Sequence, residues 1–248
     1  MAKDILKLKP AKLWEYFYDL TQIPRPTGHM KEVTQYMINF GKSLGYETKQ
    51  DKVGNVLITK PASKGMEKAP TVILQSHLDM VPQKNSSTKH DFEKDPIDAH
   101  IDGKNVKAKS TTLGADKGIG AAAAMAVLAD PKLKHGKIEA LFTIDEEVGM
   151  IGAFGLKKGF RTGSILLNLD TEELGELCVG CAGGADVNAD WQFKDVKVPK
   201  GDVAYKLSLT GLKGGHSGTE IHLGRANANK LMFRFLKEAV SNYEVRLS

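Results

Sequence analysis

Three short apolar segments of this sequence run directly into acidic or histidine residues. These segments, each with the residues that follow it, are TVILQS (71–76) with His77 and Asp79, KIEALFTI (137–144) with Asp145, Glu146 and Glu147, and SILLNL (164–169) with Asp170. Apolar runs of this length are typical of strands buried on both faces. Carboxylates crowded at the end of a buried strand repel one another and lose hydration, so the fold must bring them a compensating partner.

Helical patterns alternate with these strands. Leu13, Phe17 and Leu20 recur at helical spacing, as do the apolar residues of segment 33–44, and KGIGAAAAMAVLAD is a third helical segment. Further strands are predicted at YETKQD and NVLITK, with a hairpin in IDAHIDGKNVKAK. Strands that alternate with helices predict an α/β domain with a mixed, largely parallel central sheet flanked by helices.

The pattern changes near Gly183 and Gly184. DVNADWQFKDV and VAYKLSLTGL alternate apolar and polar residues, as half-exposed strands do, and a helix over 224–240 and a final strand in YEVRLS follow. The sequence therefore predicts two domains, residues 1–183 and residues 184–248, of which the second is the start of an α+β domain.

Charge and hydropathy argue against two classes of partner. The net charge is +5, but 35 basic and 30 acidic residues are interspersed, which is typical of a solvated surface and not of a nucleic-acid site. No segment is long and apolar enough to span a membrane, and the N-terminus lacks an apolar signal sequence. We therefore expect a cytoplasmic protein without nucleic-acid or membrane partners.

The two cysteines, Cys178 and Cys181, form a C-x-x-C pair. Such a pair can be redox-active or can supply half of a zinc site. Because no second Cys or His pair lies nearby, we favour two small buried residues at the end of a strand.

The residues at the strand ends predict a metal site. In an open α/β sheet, ligands bind beyond the carboxyl ends of the strands, where these side chains would meet. Individually, His77 and Asp79 could form a surface loop, Asp116 could cap a helix, and Asp170 could begin a turn. A shared divalent cation explains them together, and one imidazole with several carboxylates suits Zn²⁺, Mn²⁺ or Co²⁺ in a hydrolytic site.

Three of these residues have further predicted roles. Asp116, at the start of a helix between the strands, is the best candidate to bridge two metal ions. Consecutive extended residues point in opposite directions, so that one of Glu146 and Glu147 could bind metal while the other faces the substrate as a general base.

Six motifs together resemble the aminoacyl-histidine dipeptidases, also called cytosolic non-specific or Xaa-His dipeptidases. They are HLDMVPQ, TTLGADKGIG, TIDEEVGMIGAFGL, LNLDTEE, GCAGG and GLKGGHSGTEIHLGRANANKL. This group is part of the co-catalytic zinc metallopeptidases, which include carboxypeptidase G and the acylamino-acid deacetylases. The resemblance covers about residues 10–248, and it implies a catalytic domain followed by the start of a lid domain.

The resemblance also implies the metal ligands. His77 and Asp170 would bind one Zn²⁺, Asp116 would bridge two, and Glu147 would bind the second. Lys117 stands where this group commonly has an amide or a small residue, and a lysine at this position could lie outward. The last histidine ligand of the second metal has no counterpart in the 248 residues, so the chain resembles the N-terminal half of the family's members.

Five further residues receive roles from the resemblance. Glu146 would be the general base, Asp79 would orient His77, and His216 would stabilise the tetrahedral oxyanion, although a turn histidine is the alternative. Asn227 and Asn229 could help bind substrate.

The implied function is hydrolysis of dipeptides, Xaa-His or broader, by a water activated between two metals, with reduced or no activity for this chain alone. A homodimer could form through the lid. The alternatives are an N-acyl-amino-acid deacetylase and a non-catalytic metal-binding fragment.

Overall fold

The structure is a computed structural model that describes residues 2–171, 175–180, 183, 185, 187–216, 218 and 220–247. The chain divides into two compact units, Met1–Ala182 and Gly183–Ser248. None of the helices in the described ranges combines the length and the apolar character needed to cross a membrane.

The first unit contains four helices and seven strands among its described residues. The helices are α1 (Ala11–Thr21), α2 (Lys31–Ser43), α3 (Ala115–Ala129) and α4 (Ile151–Gly155). The strands are β1 (Glu47–Gln50), β2 (Val56–Lys60), β3 (Val72–His77), β4 (Ala99–Asp102), β5 (Asn105–Ala108), β6 (Ile138–Thr143) and β7 (Ile165–Asn168). A 3₁₀ helix, Ala2–Lys7, precedes α1.

Five strands form the central sheet in the order β1-β2-β6-β3-β7. The strands β6, β3 and β7 are parallel neighbours, whereas β1 and β2 continue the sheet in antiparallel pairing. The strands β4 and β5 form a separate hairpin. The predicted mixed, largely parallel sheet is confirmed, and the three apolar runs end at the same edge.

The main core lies between one face of the sheet and the helices α1, α2 and α3. Its fully buried members include Phe17 of α1, Met37 of α2, Met125 of α3 and Phe142 of β6. The small residues of α3 allow a close approach, since a Cβ on Gly120 would lie 3.0 Å from the backbone oxygen of Leu169. A smaller cluster on the opposite face contains Leu57, Ile73 and Leu141, packed against Leu156 and Phe160.

The second unit contains helix α5 (Ala228–Asn242) and a short 3₁₀ helix, Ile221–Leu223. The strands predicted in this unit at 186–196, 203–212 and 243–248 are absent from its described residues, as is the short strand predicted at 176–180 in the first unit. A strand needs a paired neighbour for its backbone groups, and Trp191, Phe193 and Tyr205 are largely exposed, without a core to cover them. Alternation of apolar and polar residues alone was therefore a misleading signal.

A buried carboxylate on β6 joins the sheet to the loop before β7. Glu139 is 2% exposed. Its carboxylate accepts hydrogen bonds from the backbone N–H of Thr162 (2.9 Å), the hydroxyl of Thr162 (2.5 Å) and the backbone N–H of Gly163 (3.0 Å). Burial alone would raise the pKa of Glu139, but these bonds and Lys137 outweigh it and hold the pKa below its usual value.

This hydrogen-bond set predicts an acid-sensitive contribution to stability. Because the pKa of folded Glu139 is depressed, its ionised form stabilises the protein above the unfolded-state pKa, and this is lost as the pH falls through the folded-state value. We expect Glu139→Gln to lower the free energy of unfolding by about 2 kcal/mol at neutral pH, with a smaller difference from wild type in acid. Urea unfolding at a series of pH values measures this.

The matched control is Glu47→Gln on the exposed strand β1, where the carboxylate pairs with Lys49 at the surface. We expect that change to stay within about 0.5 kcal/mol at every pH. A difference between Glu139→Gln and wild type that does not shrink in acid would contradict the expectation.

Candidate metal centre

His77 is the last residue of β3 and points from the carboxyl end of the sheet into the candidate site. Its side chain is 1% exposed. Its Nδ1 lies 3.1 Å from the backbone oxygen of Asp79 and 3.2 Å from Asp79 Oδ1. Its Nε2 lies 3.1 Å from Asp116 Oδ1. The imidazole is thus held on one side and presents its other nitrogen to a second carboxylate.

Asp79 is 0% exposed, and its carboxylate accepts hydrogen bonds from other groups in addition to its contact with the imidazole of His77. Its Oδ1 accepts the backbone N–H of Glu146 at 3.0 Å, and its Oδ2 accepts that of Glu147 at 3.2 Å. The hydroxyl of Thr27 donates to Oδ2 at 2.9 Å. Asp79 therefore fixes the loop after β6 as well as His77, a connection that the sequence pattern did not reveal.

Asp116 lies in the first turn of α3 but does not have helical backbone angles. The N-cap residue of α3 is Gly114, with φ of 70°, and both Asp116 and Lys117 have non-helical φ and ψ values. Because Asp116 follows the cap and its Oδ1 contacts His77, the alternative of a simple capping residue does not apply. The irregular first turn directs this carboxylate toward the end of β3.

Asp145 has a structural role that the sequence analysis did not predict. Its φ is +48°, in the left-handed region, where Asp is tolerated better than most residues. Its Oδ1 accepts the backbone N–H of Gly28 at 2.8 Å, which links the loop after β6 to the segment before α2. An acid at the start of a turn was the available signal.

Among the residues that the structure describes, two sets of three side chains lie close enough to hold a cation. In each set, one atom from each residue lies within 4.8 Å of the others, and the sets are His77 with Asp116 and Asp170, and His77 with Glu146 and Glu147. His77 Nε2 lies 4.0 Å from both Glu146 Oε2 and Asp170 Oδ2. One imidazole nitrogen with several carboxylate oxygens is a donor set that fits a divalent ion.

Lys117 does not lie outward, the direction that the sequence analysis considered for it. Its side chain is buried, and its Nζ lies 3.1 Å from Asp170 Oδ1 and 4.0 Å from Asp116 Oδ1. Two carboxylates attract the ammonium inward, which offsets the loss of its hydration.

Arg25 is a second buried cation, placed behind the site. Its guanidinium donates to the backbone oxygens of Leu78 (2.7 Å), Gly114 (2.6 Å) and Leu20 (3.3 Å). It therefore ties the loop after β3 to the start of α3. Burial lowers the pKa of Arg25 to about 10, which leaves it charged at neutral pH.

Comparisons with known proteins give a consistent relationship. The family model described as peptidase family M20/M25/M40 matches residues 73–209. The chain is 50% identical over 244 residues to the cytosol non-specific dipeptidase of Escherichia coli (strain K12), a match that covers 98% of this chain and 50% of that protein. The chain belongs to the M20/M25/M40 peptidase family.

The chain is also similar to two further proteins. The crystal structure of aminoacylhistidine dipeptidase from Vibrio alginolyticus matches with 46% identity and a TM-score of 0.72, covering 100% of this chain and 51% of that one. The uncharacterized protein YqjE of Bacillus subtilis (strain 168) is 31% identical over 191 residues, covering 72% of this chain and 48% of that protein. The resemblance to the aminoacyl-histidine dipeptidases is confirmed, and this M20 chain spans about half the length of these relatives.

The protein's own groups shift the pKa values at the centre of this M20 chain. Burial alone would lower the pKa of His77, but Asp116 and Asp79 raise it to about 10. Burial would raise the pKa of Asp79, yet His77 and the N–H donors of the loop hold it at about 2. Burial, followed by repulsion from Asp116, raises the pKa of Glu147 to about 7, and burial also raises that of Glu146. These shifts reflect the burial of the centre and the several carboxylates close to His77.

The remaining candidate residues belong to the second unit. His216, in the second unit, donates its backbone N–H to Glu220 at 2.8 Å and accepts the N–H of Gly218 on its Nδ1 at 3.1 Å. Asn227 caps α5 by accepting the N–H of Lys230 at 2.9 Å, and Asn229 is exposed in the first turn.

The structure tests the prediction for one of the two cysteines. Cys178 is exposed and lies outside any strand, so the expectation of a buried residue at a strand end was wrong for it. Cys181 lies outside the described residues.

The buried hydrogen bonds of Asp79 predict that its replacement strongly lowers the stability of the fold. Asp79→Ala leaves the N–H groups of Glu146 and Glu147, the Thr27 hydroxyl and His77 without their acceptor. We expect the free energy of unfolding to fall by about 3–5 kcal/mol in urea, as for a broken buried ion pair. Asp102→Ala, on the exposed β4–β5 hairpin, is the control and should change stability by about 0.5 kcal/mol or less. Equal effects of the two changes would show that Asp79 does not organise the loop.

Proposed function

We propose that this chain carries the metal-binding and proton-transfer residues of a dipeptidase that hydrolyses short, unblocked peptides. The observation that supports this most is the convergence of His77, Asp116, Glu146, Glu147 and Asp170 at the carboxyl edge of the sheet. Identity of 50% to a cytosol non-specific dipeptidase adds the substrate class.

The donor set fits divalent ions of the zinc type. His77, Asp116 and Asp170 would hold one ion, and Asp116 and Glu147 would take part in holding a second. Zn²⁺ is the expected metal, with Mn²⁺ or Co²⁺ as substitutes that accept the same oxygen and nitrogen donors. When bound, such ions would polarise the peptide carbonyl and make water a stronger acid.

Glu146 would act as the general base, taking a proton from the attacking water and returning it to the leaving amine. Its half-buried carboxyl has a raised pKa, primarily through burial, which brings its affinity for a proton closer to the operating range. Asp79 would hold His77 by its Nδ1, leaving Nε2 as the donor atom. The backbone N–H groups of Glu146 and Glu147, bound to Asp79, would fix the base in place.

The two units would have separate parts in this function. Residues 1–183 would be the metal-binding catalytic domain, and residues 184–248 would be the start of a lid domain, with His216 as an oxyanion-stabilising residue. The lid would also provide the contact for a homodimer, which sedimentation of the purified chain tests. A cytosolic location is proposed from the name of the E. coli relative, and cell fractionation tests it.

Substitution of the two glutamates separates their roles. In the Zn²⁺-loaded chain, whose activity we expect to be reduced, Glu146→Gln should remove the remaining dipeptide hydrolysis while Zn²⁺ binding is kept, because a base is lost. Glu147→Gln, the matched control one residue away, should weaken Zn²⁺ binding, since a ligand is lost. Hydrolysis is followed by amino-acid release, and Zn²⁺ by equilibrium dialysis.

Three outcomes of this experiment contradict the proposal in different ways. A folded, Zn²⁺-loaded wild type that is no faster than Glu146→Gln is a non-catalytic metal-binding chain. Loss of Zn²⁺ with Glu146→Gln, and its retention with Glu147→Gln, would exchange the two roles. Release of acetate from acetyl-amino acids in preference to cleavage of dipeptides would identify a deacetylase instead.

A further inference from the structure

Lys117 places its amino group inside the candidate metal centre. The residue is 4% exposed. Its Nζ lies 3.1 Å from Asp170 Oδ1 and 4.0 Å from Asp116 Oδ1, and these two carboxylates belong to the same set as His77. An ammonium ion therefore contacts two of the three residues that would hold one divalent cation.

A buried hydrogen bond holds the backbone of Lys117 in this position. The backbone oxygen of Lys117 accepts the hydroxyl of Ser76, a buried residue of β3, at 3.0 Å. This bond fixes the first turn of α3 against the strand that carries His77. The side chain of Lys117 is itself 5% exposed, so its stem and ammonium are enclosed by the protein.

We propose that the Lys117 ammonium is a resident counter-cation of this centre: it neutralises Asp170 and Asp116 in the metal-free protein and competes with a divalent ion for Asp170. This inference rests on the proposed metal site and extends it. An ammonium has three N–H donors and no acceptor, so Lys117 cannot bind the metal while it is protonated. Its charge instead repels an incoming cation at short range.

Lys117 would compete with a metal ion only at the set of ligands that includes Asp170. Lys117 forms ion pairs with Asp170 and Asp116 among the described residues, whereas Glu146 and Glu147 reach His77 from the loop after β6. The metal set that includes Asp170 should therefore bind its ion more weakly than its ligands alone would allow. Replacing the lysine by a neutral residue of similar length should strengthen this binding specifically through Asp170.

Lys117→Met in the 248-residue chain tests this inference. It keeps the volume of the stem and removes the charge. We expect the affinity for Co²⁺, followed by visible absorption, and for Zn²⁺, followed by equilibrium dialysis, to rise about tenfold or more. In a chain that already carries Asp170→Asn, adding Lys117→Met should give no gain in affinity. Asp170→Asn should therefore reduce the affinity of the wild type by a smaller factor than it reduces the affinity of Lys117→Met.

Lys60→Met is the matched control for the loss of a buried lysine. Lys60 is 5% exposed and donates to the backbone oxygens of Val127 and Asp130, away from the centre. Both variants should unfold at lower temperature than wild type after the metal is removed by a chelator. Only Lys117→Met should show a larger increase in unfolding temperature on addition of Zn²⁺, since tighter binding to the folded state stabilises it more.

The outcomes separate this inference from the proposed function. If the wild type binds Zn²⁺ and Lys117→Met binds it no more tightly, the counter-cation inference fails and the metal site remains. If neither protein binds Co²⁺ or Zn²⁺, both fail. Should Lys117→Met and Lys117→Gln fold only when Zn²⁺ is present, an exchange of one cation for another is supported. Variants that stay unfolded with Zn²⁺ would overturn it.

Discussion

The arrangement of the centre depends on the hydrogen bonds that the carboxylate of Asp79 makes. This carboxylate is fully buried, and it joins His77 at the end of β3 to the loop that carries Glu146 and Glu147 after β6. A charge without solvent is stable only when donors surround it, so these partners and the carboxylate fix one another. Two strands of the parallel sheet are thereby locked in register at their functional ends, beyond what their backbone pairing provides.

Arg25 provides a comparable link on the other side of the centre. Its guanidinium reaches the carbonyls of the loop after β3 and of Gly114, and it occupies the space where a side chain at Gly114 or Gly118 would lie. A Cβ at these positions would approach Arg25 Nη2 to 2.5 Å and 2.6 Å. The glycines before and after Asp116 are thus explained by a buried cation, which fixes the turn that carries Asp116.

The sequence predicted the sheet, and the meeting of acidic and histidine side chains at its edge, because both depend on short-range patterns. Apolar runs identify β3, β6 and β7, and parallel pairing carries the residues after them to one edge. The strands of the second unit could not be judged in the same way, since pairing depends on a neighbour that alternation does not specify. The inward side chain of Lys117 was also missed, because its direction depends on Asp170, far away in the chain.

The charges of Lys117, Asp116 and Asp170 affect one another, so their effects on stability and on metal binding are coupled. Asp116 and Asp170 must approach His77 for a cation to bind, yet before it binds their mutual repulsion opposes the fold. A neighbouring ammonium reduces that repulsion in the metal-free chain, but the same charge opposes the metal. A site whose acids are partly neutralised by Lys117 therefore gains metal-free stability and loses metal affinity, and these two quantities change in opposite directions when its charge is removed.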